Sequence, residues 1–150
     1  MERPCDAESV VIEYIPGREK VPLLQIHGGA DATIAYDGGP RRDECLPSIP
    51  HDVRTWAGLN NISATSNVSE PLTDNATGYQ FGDGEEEGLV THVYAGDEVG
   101  HSWPATIGNP DNGRNGDGPA SFNASSVILE FFGEWYGRAQ NDTETEYLEC

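Results

Sequence analysis

Val21-Pro-Leu-Leu-Gln-Ile26 is a short apolar run that ends on His27-Gly28-Gly29. A run of this length, closed by glycines, reads as a buried strand of a parallel sheet. Such a strand is covered on both faces and so lacks strict apolar–polar alternation. Downstream, Leu89 to Ala95 (LVTHVYA) is β-branched and aromatic, the composition of a second strand. Tyr79-Gln80-Phe81 is a shorter strand candidate, and Gly82 to Gly88 (GDGEEEG) is an acidic turn. Between them lies Pro47 to Leu59, where Ile49, Val53, Trp56 and Leu59 recur at helical spacing and the prolines sit before or in the first turn. From Asn123 to Arg138 a second helix is expected, capped by Asn123, with Val127, Ile128, Phe131, Phe132, Trp135 and Tyr136 forming one wide apolar face. Residues 28–46, 60–77 and 96–119 read as loops, and 139–150 as an acidic polar tail. Strand, helix, strand, helix predicts an α/β fold.

In such sheets ligands sit beyond the carboxyl ends of the strands. Two loops leave those ends. The first, His27 to Gly39, offers Asp31; the second, Ala95 to Pro104, offers His101 between Gly100 and Ser102. A carboxylate and an imidazole suit the orienting and proton-transferring members of a hydrolase triad. The imidazole takes a proton from the nucleophile and returns it to the leaving group, while the carboxylate fixes the ring tautomer. The order Asp then His is that of an α/β-hydrolase, in which Ser comes first. The plain alternative is a solvated or structural histidine in a Gly-flanked loop.

Composition narrows the class. Eight Lys plus Arg against 26 Asp plus Glu give a formal charge of −18, which repels phosphate and argues against nucleic acid as a partner. No apolar run approaches the roughly 18 residues of a membrane span, and the first twenty residues carry no signal-peptide pattern. Asn61, Asn67, Asn75, Asn123 and Asn141 each precede Ser or Thr by two places without an intervening Pro, so five of nine Asn stand in glycosylation sequons. That excess points to a secreted protein. Cys5, Cys45 and Cys150 are an odd number, and their pairing is open. The four His are scattered and the Asp111 to Asp117 stretch lacks the ligand pattern of a calcium loop, so neither metal nor cofactor is expected.

Two of these stretches carry a resemblance. HGGADATIAYDGG (27–39) is similar to the H-G-x-x-D-x-x-I-x-Y-x-G-G segment of the feruloyl esterases and polyhydroxybutyrate-depolymerase-like esterases of carbohydrate esterase family 1. GHSWP (100–104) resembles the stretch around their catalytic His. The similarity to fungal type-C feruloyl esterases runs from about Pro4 to Phe132. It implies an α/β-hydrolase fold of which residues 1–138 are the C-terminal portion, with an incomplete, mainly parallel sheet. It implies Asp31 as triad acid, His101 as general base and Trp103 at the mouth of the site. Asp37 is then loop structure, and His27, His51 and His92 are structural. The implied substrate is a hydroxycinnamoyl ester of plant cell-wall polysaccharide, hydrolysed outside the cell.

The departure from the family is the nucleophile. No G-x-S-x-G occurs; Gly100-His-Ser-Trp-Pro104 matches only its first half, which makes Ser102 a poor candidate. The nucleophile and the oxyanion-hole loop are therefore expected upstream, and this chain alone is expected to be inactive. The rival reading is a non-catalytic secreted glycoprotein that binds wall polysaccharide through Trp103.

Overall fold

A computed structural model of the chain describes residues 4–15, 17–65, 68–115 and 117–148. Among the described residues six strands and three α-helices follow one another: β1 (Leu23–His27), β2 (Gly39–Arg41), β3 (Glu44–Leu46), α1 (Ile49–Leu59), β4 (Val68–Pro71), β5 (Thr77–Phe81), β6 (Val90–Tyr94), α2 (Pro110–Asn115) and α3 (Ala124–Leu148). A four-stranded sheet has the order β1-β6-β5-β4, and β2 and β3 form a separate hairpin. The fold is thus mixed α/β, with helices on both faces of the main sheet.

The apolar pattern explains the layering. Side chains alternate across a strand. Leu23 and Val90 join Ile49, Val53 and Ala57 of α1 in one core, while Leu24, Ile26 and Val93 join Ala124, Val127 and Ile128 of α3 in the other. Both faces of β1 and β6 are therefore covered, which is why their sequences read as apolar runs. β6 is largely buried; β1 is half-buried throughout because it lies at the sheet edge, bonded among the described residues on the β6 side.

α1 begins where capping chemistry places it. Ser48 accepts a hydrogen bond from the His51 N–H (3.1 Å), and Pro50 stands in the first turn, where its missing N–H has no cost. Its end is tied to the entry of β1 by Asn60, which is 1% exposed. Asn60 Oδ1 accepts from Val21 N–H (2.6 Å) and Nδ2 donates to Val21 C=O (3.1 Å) and Trp56 C=O (3.0 Å), so one side chain acts as a strand partner. Cys5 is bonded to Cys45 on β3, which pins the N-terminal segment to the hairpin; Cys150 lies outside the described residues.

Three expectations are corrected. The sheet is not mainly parallel: β1 and β6 run parallel, but β6–β5 and β5–β4 are antiparallel. The connections dictate this. Residues 82–89 and 72–76 are too short for a parallel crossover, which takes a dozen or more residues. Second, the helix expected to end at Arg138 continues to Leu148, so the described part of the acidic stretch is helical. No Gly or Pro follows Arg138, and Ala139, Gln140 and the glutamates are good helix formers. Third, the loops at 28–46 and 60–77 contain β2, β3 and β4. The β2–β3 turn places Arg42 (φ 49°) and Asp43 (φ 69°) in the left-handed region, where a sequence signal would have been Asn-Gly.

Candidate functional site

The parallel pair β1–β6 carries the site at its carboxyl end. The two strands are in register, His27 opposite Tyr94, so the loops that follow them leave side by side. They stay zipped together beyond the sheet. Ala95 N–H donates to His27 C=O (2.8 Å), Gly29 N–H to Gly96 C=O (2.9 Å) and Ala30 N–H to Val99 C=O (3.0 Å). This closeness requires glycine: a Cβ on Gly28 would stand 2.0 Å from the Val99 carbonyl oxygen.

Asp31 is buried, at 7% exposure, and every oxygen is used. Oδ1 accepts from the N–H groups of Thr33 and Ile34, both at 2.8 Å, in an Asx-type turn. Oδ2 accepts from His101 Nδ1–H at 2.9 Å, and His27 Nε2 stands 3.3 Å away. His27 donates its Nε2–H to Ile34 C=O (2.8 Å), so it braces the acid loop. Burial by itself would raise the Asp31 pKa. The hydrogen bond from His101, those from Ile34 and Thr33, and the attraction of a charged His101 outweigh it, and the carboxyl is held below its ordinary value. Asp31 is thus an ionised acceptor at neutral pH. His101, with 52% of its side chain exposed, has its Nδ1–H committed to Asp31; in the neutral ring Nε2 is then the basic nitrogen.

The pair stands in a cleft of about 470 Å³. One wall is apolar, made of Leu24 and Ile26 of β1 with Ala124 and Ile128 of α3; Ser102, Trp103 and Asp111 also line the cleft. Trp103 is 50% exposed, and its N–H donates to Asp111 Oδ2 (2.9 Å). Ser102 Oγ accepts from Asn112 Nδ2 (3.1 Å). Beneath the acid loop lies an aromatic stack: Tyr36 against His92 (ring centroids 5.7 Å apart) and Tyr94 (4.9 Å), with Tyr79 on the other side of His92. Asp37 is exposed and His51 donates to Val10 C=O (2.8 Å).

Of the sequons, Asn61, Asn75 and Asn123 are exposed; Asn123 Oδ1 also caps α3 by accepting from Ser125 N–H (3.0 Å). Asn141 falls within α3, and Asn67 lies outside the described residues. Among the described residues no cluster of three or more His, Cys, Asp or Glu is placed to hold a metal ion, and no helix is long and apolar enough to cross a membrane. Sequence reasoning passed over Asn112 and the bracing role of His27. The sequence signal for Asn112 is Asn109-Pro110, a helix-start pattern within the stretch 96–119 that reads as loop: Asn109 Oδ1 accepts from the N–H groups of Asp111 (2.9 Å) and Asn112 (3.0 Å). No family model, curated protein or solved structure matches the chain.

Proposed function

We propose that this chain supplies the acid and the base of a serine carboxylic ester hydrolase of the feruloyl esterase kind, acting outside the cell on hydroxycinnamoyl esters of plant cell-wall polysaccharide. The observation that carries this reading is the 2.9 Å bond between Asp31 and His101, residues 70 apart in sequence, in a cleft at the carboxyl end of parallel strands. In this reading Asp31 holds the His101 proton on Nδ1. Nε2 then accepts the proton of a serine hydroxyl as the hydroxyl attacks the ester carbonyl. The imidazolium, stabilised by Asp31, returns that proton to the departing alcohol, and a water repeats the cycle to release the cinnamic acid.

The serine comes from a G-x-S-x-G segment that this chain does not contain. Two features favour its arrival from beside β1. The cleft lies along the edge strand, and a strand added there in parallel ends, as β1 does, next to Asp31 and His101. Ser102 is a poor substitute because Pro104 stands where the motif's second Gly belongs. The Cys5–Cys45 disulfide and the exposed sequons suit an oxidising, extracellular setting. The half-exposed Trp103 favours a second reading, a polysaccharide-binding glycoprotein without turnover.

A chimaera decides between them. This chain is fused behind the nucleophile-bearing N-terminal half of a feruloyl esterase and assayed on methyl ferulate. Turnover is expected, with Asp31→Asn lowering kcat about 10⁴-fold by disturbing the tautomer. The chain by itself should show none above background. Turnover by the chimaera that survives His101→Ala, or turnover by the unfused chain that Ser102→Ala abolishes, would sink the assignment.

A further inference from the structure

The acid loop is held by sheet, Asx turn and aromatic stack, whereas the segment after His101 has no ladder to lie in. Its far end is held by Ala120 N–H on Ala105 C=O (2.8 Å) and Ala124 N–H on Pro104 C=O (3.0 Å), and its near end, next to His101, by Asp111 and Asn112. Asn112 is 3% exposed, and the orientation of its amide follows from its partners. The Asn109 N–H must meet an acceptor, so Oδ1 faces it (3.1 Å); the Trp103 carbonyl must meet a donor, so Nδ2 faces the loop. Nδ2 donates to Ser102 Oγ at 3.1 Å and, more weakly, to Trp103 C=O at 3.4 Å, while the Asn112 C=O accepts from Asp117 N–H (2.9 Å). Asp117 reaches the other side of His101: a Cβ on Gly100 would stand 2.6 Å from its Oδ1. The two neighbours of His101 thus meet Asp117 on one side and Asn112 on the other.

We propose that Asn112 is the positioning residue that fixes the His101 loop, so that the ring keeps its Nδ1–H on Asp31 and its Nε2 unprotonated. The proposal rests on the reading of Asp31 and His101 as an acid–base pair. A neutral imidazole free in water carries its proton mainly on Nε2, so a ring that drifts from Asp31 reverts mainly to the tautomer whose Nε2 cannot accept the serine proton. A buried amide that makes these bonds leaves their acceptors stranded when it is removed.

The test is the tautomer itself, read from ¹⁵N shifts of the His101 ring on the 150-residue chain, with the pH raised until those shifts stop changing. The parent should show Nδ1–H in the majority. Asn112→Ala should move the Nδ1–H to Nε2–H ratio about tenfold towards Nε2–H, the effect of losing one hydrogen bond of ordinary strength, with the sheet amides unmoved. Ser102→Ala, which removes the nearer acceptor and nothing from the core, should shift the ratio in the same direction by less; it carries the decision if Asn112→Ala does not fold. An unchanged ratio in the folded variants overturns the positioning role while leaving the pair intact. A parent ring that is mainly Nε2–H overturns the pair and this inference together.

Discussion

Acidification from pH 7 to pH 4 should cost the fold about 3 kcal/mol through a single side chain, His92. The ring is 3% exposed on β6. Its Nδ1–H donates to Gln25 C=O on β1 (3.1 Å), and its Nε2 accepts from Tyr36 OH on the acid loop (2.9 Å). Both partners suit the neutral ring, and rings of Tyr79 and Tyr36 lie against it, each with centroid 5.7 Å away. Burial, the largest cause, pulls the pKa down from 6.5 to about 4; the Gln25 carbonyl resists this and a charged His27 adds to it. The sign follows from linkage. The unfolded chain takes up the proton near 6.5 and the folded chain only near 4, so stability is full above about pH 6.5 and drains away as the pH falls to 4. The gap of about 2.5 pH units corresponds to about 3 kcal/mol, at 1.36 kcal/mol per unit. Asp31, with its lowered carboxyl, loses its contribution only below the ordinary carboxylate range. Asp52, raised by burial, acts with the opposite sign, since its folded form gains from protonation. Urea unfolding at pH 7, 5.5 and 4.5 should show this slope in the parent and a much flatter one in His92→Gln, whatever that variant loses at pH 7. Equal slopes, or a His92 ring that titrates by NMR near 6.5, would refute the reasoning.

Asn60→Ala should lower stability by about 1–3 kcal/mol, because it removes the buried amide that satisfies the part-buried N–H and C=O of Val21 at the entry to β1; a urea midpoint within experimental error of the parent would show that water replaces the amide. Replacing Cys5 and Cys45 by Ser releases a link between residues 40 apart and should cost about 4 kcal/mol on the chain-entropy account, seen as a lower melting temperature that a reductant no longer changes. A loss below about 1 kcal/mol would mean that the unfolded chain gains little freedom from the cut.

Much of the frame was legible because its signals are short-range. The apolar run before His27, the β-branched run at 89–95 and the helical spacing from Ile49 to Leu59 each reflect burial on a particular face. Asp31 and His101 stood out because each follows such a strand, and the parallel register of β1 and β6 brings them to 2.9 Å. The end of α3 is not legible because a polar composition does not by itself stop a helix, and no Gly, Pro or cap follows Arg138 to end it.

What the chain order does not carry is which distant groups meet. The Arg42-Asp43 turn has no glycine to announce it, so β2 and β3 emerged only with the tertiary structure, and with them the pairing of Cys45 with Cys5. The mixed direction of the sheet follows from connections whose strand β4 had been hidden in a polar, sequon-bearing stretch. The buried amides of Asn60 and Asn112 and the neutral ring of His92 are satisfied by partners 39, 10 and 56 residues away. A polar side chain in sequence looks solvated. Only the fold decides that it is buried, and burial then demands the hydrogen bonds that give it a role.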